Sequence, residues 1–308
     1  MPELPEVETT KASLAPLLGE CVQSVAVHQP KLREMMPPDL PSLVSFRLID
    51  VRRRAKYLLL DFVNSAGDDR KTLLIHLGMS GSLQQHPAED GARKHDHLLF
   101  TFANGTALHY HDPRRFGIVV WAHNDAHIDT LDGFGDKYLA HLGVEPLDDE
   151  FTGEYLYHYI QRLGRFAKLP KLDKDGKPKP STPIAIKKPI KTVIMDQTCV
   201  VGVGNIYAAE SLFLSGIHPA TPAHLLDFDE ISTLAAHIKD VLGKAIIQGG
   251  TTLKDFTVGE GKTGYFQQVL LAYGRDGEPC ENCRTPLENI KIGGRASVYC
   301  PKCQPLKS

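Results

Sequence analysis

The sequence predicts an α+β protein: an N-terminal helix and a β-sandwich first, then a helical segment that ends in a cysteine-paired hairpin. Three observations predict it. Apolar strands with turn signals fill most of the first half, the periodicity turns helical after about residue 150, and four cysteines near the end stand in two close pairs.

The opening "MPELPEVETT" reads as a helix start. Glutamates in a first turn suit the positive end of the helix dipole, and Pro5 suits the first helical position because its missing N–H would have had no partner. Leu4, Val7, Leu14 and Leu18 supply an apolar stripe at helical spacing. "VSFRLIDVRRRAKYLLLDFV" and "KTLLIHLGMSGSL" are apolar runs separated by the polar loop "NSAGDDR". In "HLLFTFANGTALHYH", Asn104-Gly105 between two alternating segments signals a hairpin. Several such strands behind one helix suggest a sandwich.

"KLPKLDKDGKPKPSTP" has almost no core-forming content and reads as a loop or linker. Beyond it, "NIYAAESLFLSG" is a helix ending at Gly216, a suitable residue just past a helix end. Asp227 and Glu230 have capping-box spacing ahead of Ile231, Leu234, Ala235, Ile238, Leu242, Ala245 and Ile246, and Gly249-Gly250 stops that helix. The organisation expected is 1–150 as the sandwich domain, 151–190 as a linker with a Lys/Pro-rich insertion, 191–270 as a helical domain and 271–308 as the cysteine hairpin.

A formal net charge of −2 does not mark a polyanion binder, but the distribution is uneven. From Arg162 to Lys191 ten basic residues face only Asp173 and Asp175, and a local field is what a polyanion feels, since screening removes most influence beyond about 8–10 Å. No apolar run approaches the roughly 18 residues of a spanning helix, and the acidic start lacks the pattern of a secretory signal. A cytoplasmic protein without membrane contact is expected.

Cys280, Cys283, Cys300 and Cys303 form C-x2-C-x16-C-x2-C, a zinc-ribbon spacing. Each knuckle offers two thiolates to one tetrahedral ion, and four sulfur ligands leave no open position, so a single Zn2+ here is structural. In a reducing compartment the alternative, two disulfides, is disfavoured. Arg284, Lys291, Arg295 and Lys302 on this segment offset the double negative charge of a zinc tetrathiolate. Cys21 and Cys199 stand alone in apolar surroundings and read as core.

"PELPEVE", "RRRAKYLLL", "HLGMSGSL", "DPRRFG", "VVGVGNIYAAESLF", "GGTTLKDF", "GYFQQ" and the four-cysteine ribbon, in this order and over nearly the whole chain, resemble the formamidopyrimidine-DNA glycosylase family. Endonuclease VIII, which acts on oxidised pyrimidines, shares the N-terminal proline but resembles this chain less at "ELPEVE", "MSGSL" and "DPRRFG". The resemblance implies a helix–two-turn–helix between sandwich and zinc finger, and a single-chain bacterial enzyme working at the nucleoid. Its partner would be duplex DNA that carries an oxidised purine or an abasic site.

It also implies the site. Pro2, freed by removal of Met1, would be the nucleophile. An α-amino group with a pKa near 7.7–8, against about 10.4 for lysine, is appreciably neutral in the cell. It would attack C1′ and expel the base, and the resulting iminium is cationic without further protonation. Glu3 would be the general acid, Glu6 its support, Lys56 the proton donor in β-elimination, and Arg295 the finger residue linked to δ-elimination. Arginine stays charged below a pH of about 12, so Arg295 is read as a phosphate clamp. Met79, Arg114 and Phe116 would fill the gap left by a flipped nucleotide, Arg114 facing the widowed cytosine. His95, Lys191 and Asn205 match phosphate-binding positions, with Arg165 and Lys187 alternatives for one further DNA contact. "TVGEGKTGYF" (257–266) would cover the everted base. The 165–183 stretch departs from the family as an insertion. A non-catalytic damaged-DNA binder would not need Pro2, Glu3 and Lys56 together.

Overall fold

A computed structural model describes residues 2–122, 137–167, 184–249 and 270–307. The covering loop 257–266, Gly250 and the lysines from Lys168 to Lys179 lie outside these residues. The chain divides into two compact units: Met1–His141 with Lys244–Gln268, and Leu142–Gly243 with Val269–Ser308.

The first unit begins with α1 (Leu4–Ser13), followed by strands β1 (Val22–Val27), β2 (Arg47–Arg54), β3 (Tyr57–Val63) and β4 (Arg70–His76). Then come β5 (Ser82–Pro87), β6 (Asp96–Phe102), β7 (Thr106–His111) and β8 (Ile118–Trp121). They form two four-stranded antiparallel sheets, ordered β1-β6-β7-β5 and β2-β3-β4-β8. The period-two rule decides what faces inward. Leu58, Leu60 and Phe62 from β3, Leu73 and Ile75 from β4, Leu98, Phe100 and Phe102 from β6, and Leu108 and Tyr110 from β7 share one buried core. Phe62 and Phe100 stack across the sheets with ring centroids 6.2 Å apart. The hairpin signal at Asn104-Gly105 joins β6 to β7, with Gly105 at φ +81°.

Two sequence expectations shift by small amounts. Pro5 occupies the second helical position rather than the first, because Glu3 caps and Leu4 starts α1. Leu18 is 43 % exposed, because the α-helix stops at Ser13 and the stripe ends with the buried Leu14.

The second unit contains α2 (Gly153–Gln161), α3 (Ile190–Ile194), α4 (Asn205–Leu214) and most of α5 (Phe228–Ile247), then the hairpin of β9 (Glu288–Ile292) and β10 (Arg295–Tyr299). The capping box forms as spaced: the Asp227 N–H donates to Glu230 Oε2 and the Glu230 N–H to Asp227 Oδ1, both at 2.9 Å. Ile231, Leu234, Ala235, Ile238, Leu242 and Ala245 are buried. Gly216, just past the end of α4, lies in the left-handed region, φ +65°.

Three polar clamps fasten the cysteine hairpin to the helices. The buried Glu210 carboxylate on α4 accepts from the N–H groups of Leu271, Ala272 and Tyr273 at 2.7–2.9 Å. Lys191 Nζ on α3 donates to the Ala296 carbonyl (2.9 Å) and Ser297 Oγ (2.8 Å). Gln304 Nε2 donates to the Ile217 carbonyl (2.8 Å), while its Oε1 accepts from the Cys300 N–H. Beneath them Phe213, Ala272, Leu287 and Val298 pack with Cys280 and Cys300.

Candidate active site

Pro2 is buried immediately before α1, and the next residues form a reciprocal cap. The Glu3 carboxylate accepts from the Glu6 N–H, and the Glu3 N–H donates to Glu6 Oε2 at 2.8 Å. Glu3 is 3 % and Glu6 1 % exposed. One element therefore gives both readings of the opening sequence: a helix cap and a pair of buried carboxylates beside Pro2.

Lys56 lies in the two-residue turn between β2 and β3, where Arg54 pairs with Tyr57 and Ala55 takes a left-handed φ of +54°. Lys56 is buried. α1 packs on β2 and β3 and is tied to this turn through Arg53. Arg53 Nε donates to Glu8 at 2.6 Å, and its Nη1 donates to the Ala55 carbonyl at 3.0 Å. Burial raises the Glu8 pKa, but hydrogen bonds from Lys11 and Arg53 outweigh it and hold the carboxyl below its ordinary range. The charged bridge that fixes the turn is therefore retained at neutral pH.

His76, at the end of β4, joins this neighbourhood although sequence reasoning gave it no role. Its ring lies 4.8 Å from that of Tyr57, and its Nδ1 accepts the Gly78 N–H at 2.9 Å, which leaves the proton on Nε2. Burial first, then the positive charges of Lys56 and Arg33, push its pKa down to about 4. A neutral imidazole protonated on Nε2 is a hydrogen-bond donor that carries no charge of its own. The only signal available in the sequence was its place inside "HLGMSGSL".

The depressed value predicts a pH effect with a definite sign. Between the ordinary 6.5 and about 4 the unfolded imidazole is protonated while the folded one is not, so stability falls as pH falls through that window. The loss approaches about 2–3 kcal/mol at pH 4. Urea midpoints measured from pH 7 to 4 should fall less steeply for His76→Gln than for the parent; parallel slopes would refute the assignment.

Met79 (42 % exposed), Arg114 and Phe116 (45 % exposed) stand on two loops that the structure brings together. Gly78, at φ +66°, lies so close to the Phe116 backbone that a Cβ would sit 2.5 Å from its carbonyl carbon. Any larger residue would push the loops apart. The Arg114 guanidinium lies 5.0 Å from the Phe116 ring centroid. His95, half-buried and at φ +75°, precedes β6, where Asp96 is buried between His109, His111 and Arg93. Burial opposes ionisation of Asp96, but these hydrogen bonds hold its carboxyl well below the usual range.

In the second unit, Asn205 is the first residue of α4 behind Gly204, at a helix N-terminus of the kind that binds anions. Its Oδ1 is buried without a hydrogen-bond partner among the described residues. Lys191 is 1 % exposed and donates to β10 as described, so its ammonium braces the hairpin. Arg165 pairs with Glu150 and lies over the Tyr155 and Phe166 rings, whereas Lys187 is exposed. Arg295 opens β10 directly after Gly293-Gly294, both at positive φ, which is the geometry of a tight two-residue hairpin turn. It is exposed at the tip.

The four sulfurs of Cys280, Cys283, Cys300 and Cys303 lie within 4.8 Å of one another, with two of the pairs at 3.5 and 4.0 Å. A zinc ion about 2.3 Å from each of four sulfurs would set edges of about 3.8 Å. These separations are far beyond a disulfide bond of about 2.05 Å. The donor set and its spacing fit one structural zinc ion, and the thiols of Cys21 and Cys199 stand apart from it.

A helix-capped sandwich followed by a helical unit with a four-cysteine hairpin defines the class: a multi-domain protein that carries a zinc finger behind a β-sandwich. Residues 1–119 match the formamidopyrimidine-DNA glycosylase N-terminal domain, 180–257 the H2TH domain of the same enzyme, and 277–306 the zinc finger found in FPG and IleRS. The formamidopyrimidine-DNA glycosylase of Psychrobacter arcticus is 55 % identical, with all of both chains covered. The wild-type Lactococcus lactis Fpg (MutM) in complex with N7-benzyl-Fapy-dG-containing DNA is similar at 30 % identity and a TM-score of 0.80, over 99 % of this chain and 100 % of that one. The Lactococcus lactis Fpg bound to abasic-site DNA is similar at a TM-score of 0.79 and 30 % identity, over 98 % and 99 %. The chain belongs to the formamidopyrimidine-DNA glycosylase family.

Proposed function

We propose that this chain acts in base-excision repair as a bifunctional glycosylase and abasic-site lyase, with its chemistry centred on Pro2. The substrate is duplex DNA holding an oxidised purine, 8-oxoguanine or a formamidopyrimidine. What the similar Lactococcus structures bind, Fapy-dG-containing and abasic DNA, supports both halves of that reading. The observation that carries it is the buried carboxylate pair, Glu3 and Glu6, locked in a cap directly after Pro2.

With Met1 removed, the Pro2 nitrogen attacks C1′ of the everted nucleotide. The N–C1′ bond forms as the C1′–base bond breaks, the proton shed by the Pro2 nitrogen leaves with the base, and Glu3 protonates the deoxyribose ring oxygen as the C1′–O4′ bond opens to the iminium. Glu6 orders the N-terminus and holds the Glu3 backbone. The iminium acidifies the C2′ hydrogen; its loss expels the 3′ phosphate, with Lys56 moving the proton. A second elimination releases the 5′ phosphate, which Arg295 steadies by charge. Met79 and Phe116 wedge the stack, and Arg114 donates to the cytosine left behind. His95, Asn205 and either Arg165 or Lys187 hold phosphates along the strand, while Lys191 supports them by bracing the hairpin. The zinc ion, when bound, supplies structure and no chemistry. The chain comprises a catalytic sandwich domain (1–150), a linker with the Lys/Pro-rich insertion (151–190), a helix–two-turn–helix domain (191–270) and a zinc finger (271–308), and the enzyme works as a monomer at the nucleoid.

The test is a duplex with a single 8-oxoguanine opposite cytosine, incubated with the protein and borohydride. A covalent adduct should be trapped on the N-terminal peptide, and without borohydride a gap flanked by phosphates should appear. Binding without nicking would leave only a damage-recognition module. A preference for thymine glycol would move the chain to the oxidised-pyrimidine branch.

A further inference from the structure

Asp112 is wholly buried, and its polar groups reach three separate segments of the first unit. Its Oδ1 accepts the Ser80 hydroxyl at 2.8 Å and the Arg114 N–H at 3.3 Å, and its Oδ2 accepts the Gly117 N–H at 2.9 Å. Its backbone N–H donates to the His95 carbonyl at 3.0 Å. Its own carbonyl accepts from the Arg115 N–H at 3.2 Å and from His97 Nε2 at 2.8 Å. Ser80 follows Met79; Arg114 and Gly117 bracket Phe116; the His95 carbonyl fixes the third segment. Desolvating a carboxylate is costly, and a chain that buries one on a loop gains only if its hydrogen bonds fix something in place.

What they fix is spacing. The left-handed Arg115 (φ +56°) folds 112–117 back on itself, so both ends of the turn reach the same carboxylate. Ser80 brings the Met79 loop to that carboxylate, and Gly78 lets the two backbones touch. Tyr110, buried beneath, reaches the His76 carbonyl with its hydroxyl at 3.4 Å and keeps its proton through burial and the Asp112 charge. An apolar wedge on each loop, and the cation that lies over one of them, thus hang on one group.

We infer that Asp112 is a positioning residue for base extrusion, holding Met79, Arg114 and Phe116 at one mutual spacing so that they enter the duplex together. The inference rests on the glycosylase reading above. It separates two steps that the same protein performs. Removing a paired, stacked purine requires the wedges, whereas cleavage at a preformed abasic site begins with no base to extract.

The experiment compares Asp112→Asn with the parent on two duplexes, one with 8-oxoguanine opposite cytosine and one with an abasic site opposite cytosine. Asparagine keeps the volume, but places an NH2 against one of the N–H or O–H donors. Single-turnover excision should fall about 10- to 100-fold, the cost expected when groups shift by about 1 Å. The ratio of excision to abasic cleavage should fall with it. Ser80→Ala, which removes one of the three side-chain bonds, should move that ratio in the same direction by a smaller factor, and it serves if Asp112→Asn does not fold. An unchanged ratio overturns the inference, whether both activities stay level or fall in parallel as for a merely structural residue. A parent inactive on both duplexes instead sinks the glycosylase reading, and the inference with it.

Discussion

Pro2→Gly is expected to lower single-turnover excision of 8-oxoguanine by at least about 1,000-fold, roughly 4 kcal/mol of barrier, and to remove most of the borohydride-trapped adduct. Glycine also ends in an amine, so the comparison isolates what the ring supplies. A secondary amine condenses to an iminium whose positive charge is permanent. A primary amine gives an imine that must find a proton before it can withdraw electrons from C1′ and acidify the C2′ hydrogen. Glycine also adds backbone freedom at a buried position that proline fills. The substitution leaves α1 in place, because its cap is made by Glu3 and Glu6 and not by residue 2. Glu3→Gln is a poorer probe: it removes the proposed acid and disturbs a cap worth about 1 kcal/mol at once. The variant should keep the parent's melting temperature and its affinity for a duplex with a stable abasic analogue. Excision above a tenth of the parent rate, with the adduct still forming at residue 2, would rule out the ring nitrogen as the required nucleophile.

Much of this arrangement could be read from residue order, and the gaps have identifiable causes. The helix caps at Asp227 and Gly216, the Asn-Gly hairpin and the cysteine knuckles are local signals, each decided within a few residues, and each formed as spaced. The break between β2 and β3 was hidden: "RRRAKY" holds no Gly, Pro or Asn, and Ala55 takes its left-handed φ because the two strands on either side are pinned by the core. His76 and Asp112 sit inside recognisable motifs, but their roles come from neighbours distant in sequence: Arg33 and Lys56 for one, Ser80 and His95 for the other. Lys191 shows the reverse case. A basic residue in a basic run reads as a phosphate ligand, yet its burial comes from the hairpin's carbonyl more than a hundred positions later. Charge type is visible in a sequence; what a charge faces is decided by packing.

Removing the zinc ion, by chelation or by Cys280→Ser, should abolish strand cleavage while leaving the sandwich folded. The hairpin it stabilises has two five-residue strands, too few to persist alone in water. Its apolar support is a small cluster that includes the ligand cysteines themselves. Crowding four sulfurs within 4.8 Å has a cost that only a cation offsets, and structural zinc contributes apparent folding energies of about 10–16 kcal/mol in zinc-finger peptides. Once the hairpin melts, Arg295 loses the Gly293-Gly294 turn that presents it. The Lys191 ammonium then loses both acceptors on β10 and is left buried. Damage should therefore spread into α3 and α4 but stop within the second unit, so hydrogen exchange should accelerate there and remain slow in β3, β4, β6 and β7. Affinity for abasic-analogue duplex should become less salt-dependent, the slope of log K against log salt dropping by roughly one for each phosphate the finger no longer neutralises. A zinc-free protein that kept the parent's salt slope and cleaved abasic DNA at the parent rate would show that the finger does not serve the reaction.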